Sequence, residues 1–523
     1  MIISYETVTS IFYHFLTRKG EQKMKENVKF EAWLGRTAYQ LMPDRFYKID
    51  ASLEAIEGRR IKEWDDRDPD WQPNEKGEYV NDYYYGGNLK GVEAKLKYLK
   101  DLGFDMIYMT PIEESFSYHH YDVGNQERVD PWLGDWGDFE NLCKAAHNLD
   151  MLIMVDLVFN QTGIHSKYYE SNEYRDWYKY DSQGNHICWY NFKDMPECNT
   201  LNKSYQDAMT NIVEKYLENG ADGIRLDLAE IFPREFLLAL QRVKKKYPNA
   251  LFVGEMWNFA ISEDNSKRET SKVLDGELDS VMNYPIADAI LRWVRYGNYE
   301  HFKYNFKRVY NTYPQSVQNV LLNNIGTHDT PTTMTMLIGE RMNQDPFSGR
   351  IWDIEAPWRH GNNYFDTYGF RKYESDNDRL LPREYEIGKK LTKLALAIMY
   401  NLPGISCVFQ GTEIAETGYK DPFCRKPYNW KNNETDMKEF VTDLGMYRKE
   451  NKDVLATGKI KLIRVDNDLL IFERYTDDKK RIIFIANRTE KGKYVDHIFE
   501  RRTEETKEPW VGPYGYLILR SEA

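Results

Sequence analysis

The chain has 523 residues and a formal net charge of −12, too long for one simple core and long enough for a barrel of about 250 residues with additions. Acids and bases are spread along it without a basic stripe or polybasic patch, which argues against nucleic acid and membrane partners and for a neutral or cationic small molecule. Aromatic residues make up 15%, enough to furnish stacking surfaces for sugar faces as well as core.

The five cysteines, Cys143, Cys188, Cys198, Cys407 and Cys424, are scattered without metal-ligand spacing and read as reduced thiols of a cytoplasmic protein. The opening MIISYETVTSIFYHFLTRKG has no basic n-region and no apolar stretch long enough to span a bilayer, so no export signal is expected.

In chain order, residues 1–30 read as an N-terminal extension, and TAYQLMP as a first strand followed by a long polar, aromatic loop. NLKGVEAKLKYLKDLG carries apolar residues at helical spacing before the second strand, MIYMTP. DWGDFENLCKAAHNLD is the next helix and MLIMVDLVF the third strand; about 161–205 shows no clear period and reads as an inserted subdomain. Alternation resumes with SYQDAMTNIVEKYLENG as helix and ADGIRLD as strand four, then PREFLLALQRVKKKYP and LFVGEMW. SVMNYP, NVLLNNIG and GISCVFQG supply strands six to eight, with a long polar, aromatic stretch from Arg341 to Glu386 as a candidate lid or substrate-facing loop. After the helical MKEFVTDLGMYRKEN, the segments KIKLIRVDN, LLIFERYT, RIIFIANR and YGYLILR predict a C-terminal antiparallel β-sandwich over 450–523.

The predicted architecture is therefore an α/β fold, a (β/α)8 TIM barrel over 31–449. Asp156, Asp227, Glu255 and Asp329 each end one of the short apolar runs, which is where a parallel barrel builds its site. Carboxyls gathered at such a mouth can divide the work, one ionised as a nucleophile and one protonated as a proton donor. Arg225, two residues before Asp227, points the same way on a strand and favours an ionised Asp227. Burial or neighbouring carboxylates would favour a protonated Glu255.

YQLMPDRF, HHYDVGNQERVDPWLGD, DLVFN, GIRLD, VGEMW, VMNYP, THDTP and GTEI followed by DPFCRKPYNW stand in register along the chain. In these motifs it resembles the α-amylase family, glycoside hydrolase family 13, and within it the neopullulanase, cyclomaltodextrinase and maltogenic amylase branch. The resemblance implies Asp227 as nucleophile, Glu255 as general acid/base and Asp329 as the carboxylate that stabilises the transition state. It implies sugar contacts for His119, Tyr121, Gln161, Arg225, Trp257, His328, Asp421 and Arg425. Asp156 is open between sugar contact and organising the barrel mouth, and Asp421 with Arg425 between subsite and local salt bridge.

Gln161 stands where the family usually has His, Thr412 replaces an Asp, and Glu230–Ile231 replaces a polar pair beyond the nucleophile. Asn160 matches a common calcium ligand, yet Lys48 and Asn88 occupy positions where relatives use Asn and Asp; calcium is an open expectation, and no other cofactor is required. The N-terminal domain that this branch often uses for dimerisation is not expected, so the oligomeric state is left open. The implied function is retaining hydrolysis of α-1,4 bonds, with α-1,6 cleavage left open, in α-gluco-oligosaccharides such as maltodextrins or cyclodextrins. The alternatives are a transglycosylase or sugar isomerase on the same scaffold and a catalytically silent glycan- or partner-binding homologue.

Overall fold

In the computed structural model the short apolar runs form a ring of parallel strands. The structure describes residues 30–49, 56, 58–67, 83–261, 272–273, 276–339, 350–352, 382–419, 421–495 and 509–521. The extension predicted for residues 1–30 lies outside these apart from Phe30, and of the stretch from Arg341 to Glu386 they include 350–352 and 382–386.

The ring is built from β1 Thr37–Leu41, β2 Met106–Met109, β3 Leu152–Leu157, β4 Gly223–Leu226, β5 Leu251–Gly254, β6 Ser280–Val281, β7 Leu322–Asn324 and β8 Ile405–Phe409. Their order is β6-β5-β4-β3-β2-β1-β8-β7, every neighbour parallel. Met282 then bridges in parallel to Leu322, and the Asn283 N–H donates to the Leu322 carbonyl at 2.9 Å, so the open edges of β6 and β7 meet. Strands buried on both faces need no alternation, which is why LIMVDL and ISCVF read as near-continuous apolar runs.

Among the helices are α1 Leu89–Ala94, α2 Leu96–Asp101, α3 Trp136–Asn148, α4 Lys203–Glu218, α5 Arg234–Leu240, α6 Tyr284–Tyr296, α7 Tyr299–Tyr310, α8 Pro382–Asn401 and α9 Asp436–Glu450. Asn88, Asp135 and Asn202 cap α1, α3 and α4 by accepting from the N–H groups of Gly91, Asp138 and Tyr205, which satisfies donors that the first turn leaves unpaired. The sixth strand is shorter than SVMNYP because Pro285 sits in the first turn of α6, where its fixed φ and missing N–H cost least. No helix among the described residues is long and apolar enough to cross a membrane.

Between β3 and α4 the chain leaves the barrel and carries two 3-10 turns, Asn172–Trp177 and Trp189–Asn191. Isolated bridges tie it down, among them Gln161 to Glu197 and Tyr178 to Cys198. Residues 203–205, predicted to end the insertion, already belong to α4. All five cysteines are free thiols.

After α9 the antiparallel strands β9 Lys459–Val465, β10 Leu469–Tyr475, β11 Arg481–Asn487 and β12 Gly515–Ser521 form one sheet in that order. Leu470, Phe472, Phe484 and Ala486 join the main core, while Leu469, Ile471 and Ile485 pack with Val495 and Val511 on the other face. Period-2 alternation delivers both faces.

Arg474 fastens this sheet to the barrel. Fully buried, it donates to the carbonyls of Asn401 at 3.0 Å, Leu455 at 2.9 Å and Gly458 at 2.8 Å. Burial lowers its guanidinium to about 9. Arg474→Leu would leave these buried acceptors without that donor, at a cost of about 3 kcal/mol. The expected result is a lower melting temperature in calorimetry with unchanged KM; an unchanged melting temperature would contradict this role.

Candidate active site

The ends of β3, β4 and β5 bring three carboxylates around one guanidinium. Asp156 pairs with Arg225, and Arg225 with Val253, in the strand register, so the residues that follow emerge at one level of the mouth. Arg225, fully buried, donates through Nη1 to Asp156 Oδ1 and Oδ2, both at 2.7 Å, and to Asp227 Oδ1 at 2.9 Å. Its Nη2 lies 3.2 Å from Glu255 Oε2. Asp156, Asp227 and Glu255 are 1%, 7% and 3% exposed; such charges are costly to bury unless paired.

One cation faces three carboxyls here, so for Asp156 and Asp227 burial works against the pull of Arg225. Asp156 is pushed up to about 6 by burial, against the pull of Arg225. Asp227 is raised by burial first and then by Glu255, again opposed by Arg225.

Backbone geometry completes the pair. Gly254 lets β5 approach closely, since a Cβ there would meet Leu278 Cδ1 at 2.5 Å and Ala229 Cβ at 2.9 Å. Leu228, directly after Asp227, takes a left-handed φ of 49°, a cost of about 1–2 kcal/mol for a residue with a Cβ. Its N–H donates to Glu255 Oε2 at 2.7 Å. The Trp257 indole N–H donates to Glu255 Oε1 at 2.8 Å, and its ring stacks on Tyr284 at 4.0 Å and packs at 5.6 Å from Trp352.

Asp329 belongs to a second ion-pair chain. Arg425 Nη2 donates to Asp329 Oδ1 at 3.0 Å, Arg425 Nε to the His328 carbonyl at 2.7 Å, and Arg425 Nη1 lies 3.3 Å from Asp421 Oδ2. Arg425 is buried while Asp421 is exposed, so one end of this ion pair reaches solvent. Burial raises the Asp329 carboxyl, against Arg425 and Arg225.

His328 is fully buried and kept neutral by burial and by Arg425. Gln40 Nε2 lies 2.9 Å from its Nδ1, and with the amide in this orientation the imidazole proton sits on Nε2. That nitrogen lies 2.5 Å from the Tyr121 hydroxyl and 3.2 Å from Asp329 Oδ2. Tyr121 in turn donates to Asp156 Oδ2 at 2.9 Å and stacks on His328 at 5.4 Å with 3° between planes. His119 stacks on the other side of Tyr121 at 6.0 Å.

The residues predicted from sequence thus fall into connected groups. Gln161 is buried, with its amide donating to the Tyr121 carbonyl at 3.2 Å. Sequence reasoning missed Gln40, Tyr108, whose hydroxyl donates to Asp156 Oδ2 at 3.1 Å, and the aromatic wall of Tyr284 and Trp352. For Gln40 and Tyr108 a usable signal existed: a polar atom in an apolar run near the C-terminal end of a barrel strand.

Calcium does not fit the early loop as its residues stand. Asn88 spends Oδ1 on the Gly91 N–H at 2.8 Å and Nδ2 on the Ile49 carbonyl at 2.6 Å, and Lys48 brings a positive charge where a hard cation wants oxygens. Asn160 Nδ2 donates to Gln161 Oε1 at 3.0 Å and its carbonyl accepts from Cys198. Among the described residues there is no group of three or more His, Cys, Asp or Glu arranged to hold a metal. No step is assigned to calcium.

A model of the alpha amylase catalytic domain matches residues 40–348, and the chain belongs to the alpha-amylase family of glycoside hydrolases. It is 26% identical to an amylopullulanase of Thermoanaerobacter thermohydrosulfuricus over 90% of this chain, which spans only 36% of that relative. It is 28% identical to an intracellular maltogenic amylase of Bacillus subtilis (strain 168), over 99% of this chain and 82% of the relative. Among solved structures, the cyclic alpha-maltosyl-(1→6)-maltose hydrolase from Arthrobacter globiformis shares the fold with a TM-score of 0.73 at 21% identity, covering 94% of this chain and 98% of that one.

The Arg225 cluster predicts a pH signature. A carboxyl raised in the folded state contributes stability below its unfolded value, near 3.8, and loses it as pH rises through the folded value of about 6 for Asp156. Arg225→Leu removes the main opposing cation. Its melting-temperature deficit against wild type is expected to widen above pH 6 and narrow in acid; a gap independent of pH would contradict the cluster's electrostatics.

Proposed function

We propose that this protein is a retaining glycoside hydrolase that cleaves α-1,4-glucosidic bonds, and α-1,6 bonds as well, in maltodextrins, cyclodextrins or related α-gluco-oligosaccharides. The observation that carries the reading is the shared guanidinium: Arg225 contacts Asp227 at 2.9 Å and Glu255 at 3.2 Å, which couples two carboxyls that the chemistry needs in opposite protonation states. Similarity to a maltogenic amylase and an amylopullulanase supports the substrate class.

In this reading Asp227 attacks the anomeric carbon while Glu255 protonates the departing glycosidic oxygen. The C–O bond to the leaving sugar breaks as the bond to Asp227 forms. Glu255, now ionised, takes a proton from water, whose oxygen attacks the same carbon and frees Asp227. Glu255 Oε1 suits the proton-bearing role, since Trp257 fixes it with one hydrogen bond, whereas Oε2 takes both the Leu228 N–H and the face of Arg225. Asp329, His328, Tyr121 and His119 grip the sugar in the cleavage subsite, and developing positive charge on the ring is favoured by the buried carboxylates.

Asp421 and Arg425 take the sugar on the non-reducing side, and Gln161 contacts the sugar in the cleavage subsite. We infer a cytoplasmic setting from the free thiols and from the relative named as intracellular.

The test is product stereochemistry. Maltohexaose, β-cyclodextrin and pullulan followed by NMR should yield α-anomeric products first, and Asp227→Asn or Glu255→Gln should cut kcat by at least about 10³-fold. Initial β-anomers, or full activity in Asp227→Asn, would overturn the reading.

A further inference from the structure

The donor-side carboxylate Asp421 is oriented by a side chain outside the motifs that carry the chemistry. Tyr118 donates its hydroxyl to Asp421 Oδ1 at 2.8 Å, while Asp421 Oδ2 faces Arg425 Nη1 at 3.3 Å. Each oxygen is therefore committed to one partner, and each keeps a lone pair. Asp421 itself is open to solvent, with 46% of its side chain exposed, so among the described residues it is these two partners that fix its terminal torsion, which is intrinsically broad.

Tyr118 is built to be a fixed donor. Its residue is 4% exposed, and its ring lies 4.0 Å from the Arg45 guanidinium, which on its other contact covers the Tyr85 ring at 4.4 Å. Arg45 is itself 3% exposed and anchored beside Asp44 at 3.5 Å. The edge of Tyr118 packs on His119 at 5.5 Å, which ties the same phenol to the turn that presents His119 and Tyr121. Burial raises the phenol well above its ordinary range, so it stays a donor at working pH.

We propose that Tyr118 is a positioning residue for sugar recognition on the non-reducing side, holding the Asp421 carboxylate shared between itself and Arg425 so that both oxygens still accept sugar hydroxyls. The inference rests on the reading of Asp421 and Arg425 as sugar-binding. Without the phenol, the exposed carboxylate is free to turn onto Arg425 with both oxygens. That geometry withdraws acceptors from the sugar and competes with Asp329 for the same guanidinium.

The experiment is a double-mutant cycle on maltohexaose with Tyr118→Phe, Asp421→Asn and the pair, measuring kcat and KM separately together with melting temperature. Tyr118→Phe keeps the ring between Arg45 and His119 and removes one hydrogen bond to a charged group. It is expected to raise KM about tenfold, with kcat reduced less than about threefold and the melting temperature unchanged. In the Asp421→Asn background the same substitution is expected to change KM by less than about twofold, because the carboxylate it positions is gone.

An equal effect in both backgrounds, an unchanged KM, or a loss that tracks melting temperature would overturn the proposal. Wild-type protein that turns over no α-glucan would instead remove the hydrolase reading beneath it, and that failure is distinct because it needs no variant to appear.

Discussion

A single buried guanidinium among three carboxylates is the constraint on which the barrel mouth depends. Arg225 is fully enclosed by β3, β4 and β5, and its charge is affordable there only because Asp156, Asp227 and Glu255 surround it. The reverse also holds: the carboxyls stand this close together only because a cation sits between them. Asp156 takes both short contacts from Nη1 and two tyrosine hydroxyls, so it anchors the guanidinium, while Asp227 and Glu255 take the looser contacts and face the cleft. That asymmetry bears on the open alternative for Asp156: its hydrogen bonds favour the organising role.

The second ion-pair chain, Asp329 to Arg425 to Asp421, is joined to the first through neutral groups. His328 touches Tyr121, and Tyr121 touches Asp156. A neutral imidazole is a sound link because it can donate at Nε2 while accepting at Nδ1 from Gln40. A charged one would add a third cation beside Arg225 and Arg425. The left-handed Leu228 is one strained point of the assembly, with His120 in the turn of His119 and Tyr121 another; at Leu228 the strain is offset where its N–H meets Glu255.

Much of this was legible in the sequence for a physical reason. Parallel strands buried on both faces must be apolar, so an acid at the end of such a run is conspicuous, and Asp156, Asp227, Glu255 and Asp329 stood out for that reason. Less legible were side chains whose role depends on contacts across the ring. Gln40 and His328 are 288 residues apart, and Tyr118 and Asp421 are 303 apart, so no local period links them. The indole of Trp257 was expected to meet sugar from its place in the motif; its hydrogen bond to Glu255 was not foreseen. Calcium was left open by sequence, since Asn160 matches a common ligand while Lys48 and Asn88 stand where relatives use Asn and Asp; the Asn88 side chain bonds to Gly91 and Ile49.

The central claim is that the charge held at 2.9 Å from Arg225 makes Asp227 the attacking group. Its most direct test is trapping with 5-fluoro-α-glucosyl fluoride, followed by peptide mapping of the labelled protein. The account predicts one glucosyl adduct on the peptide carrying Asp227. An adduct on Glu255 or Asp329, or steady turnover of the reagent through an inverting course with no adduct, would contradict it.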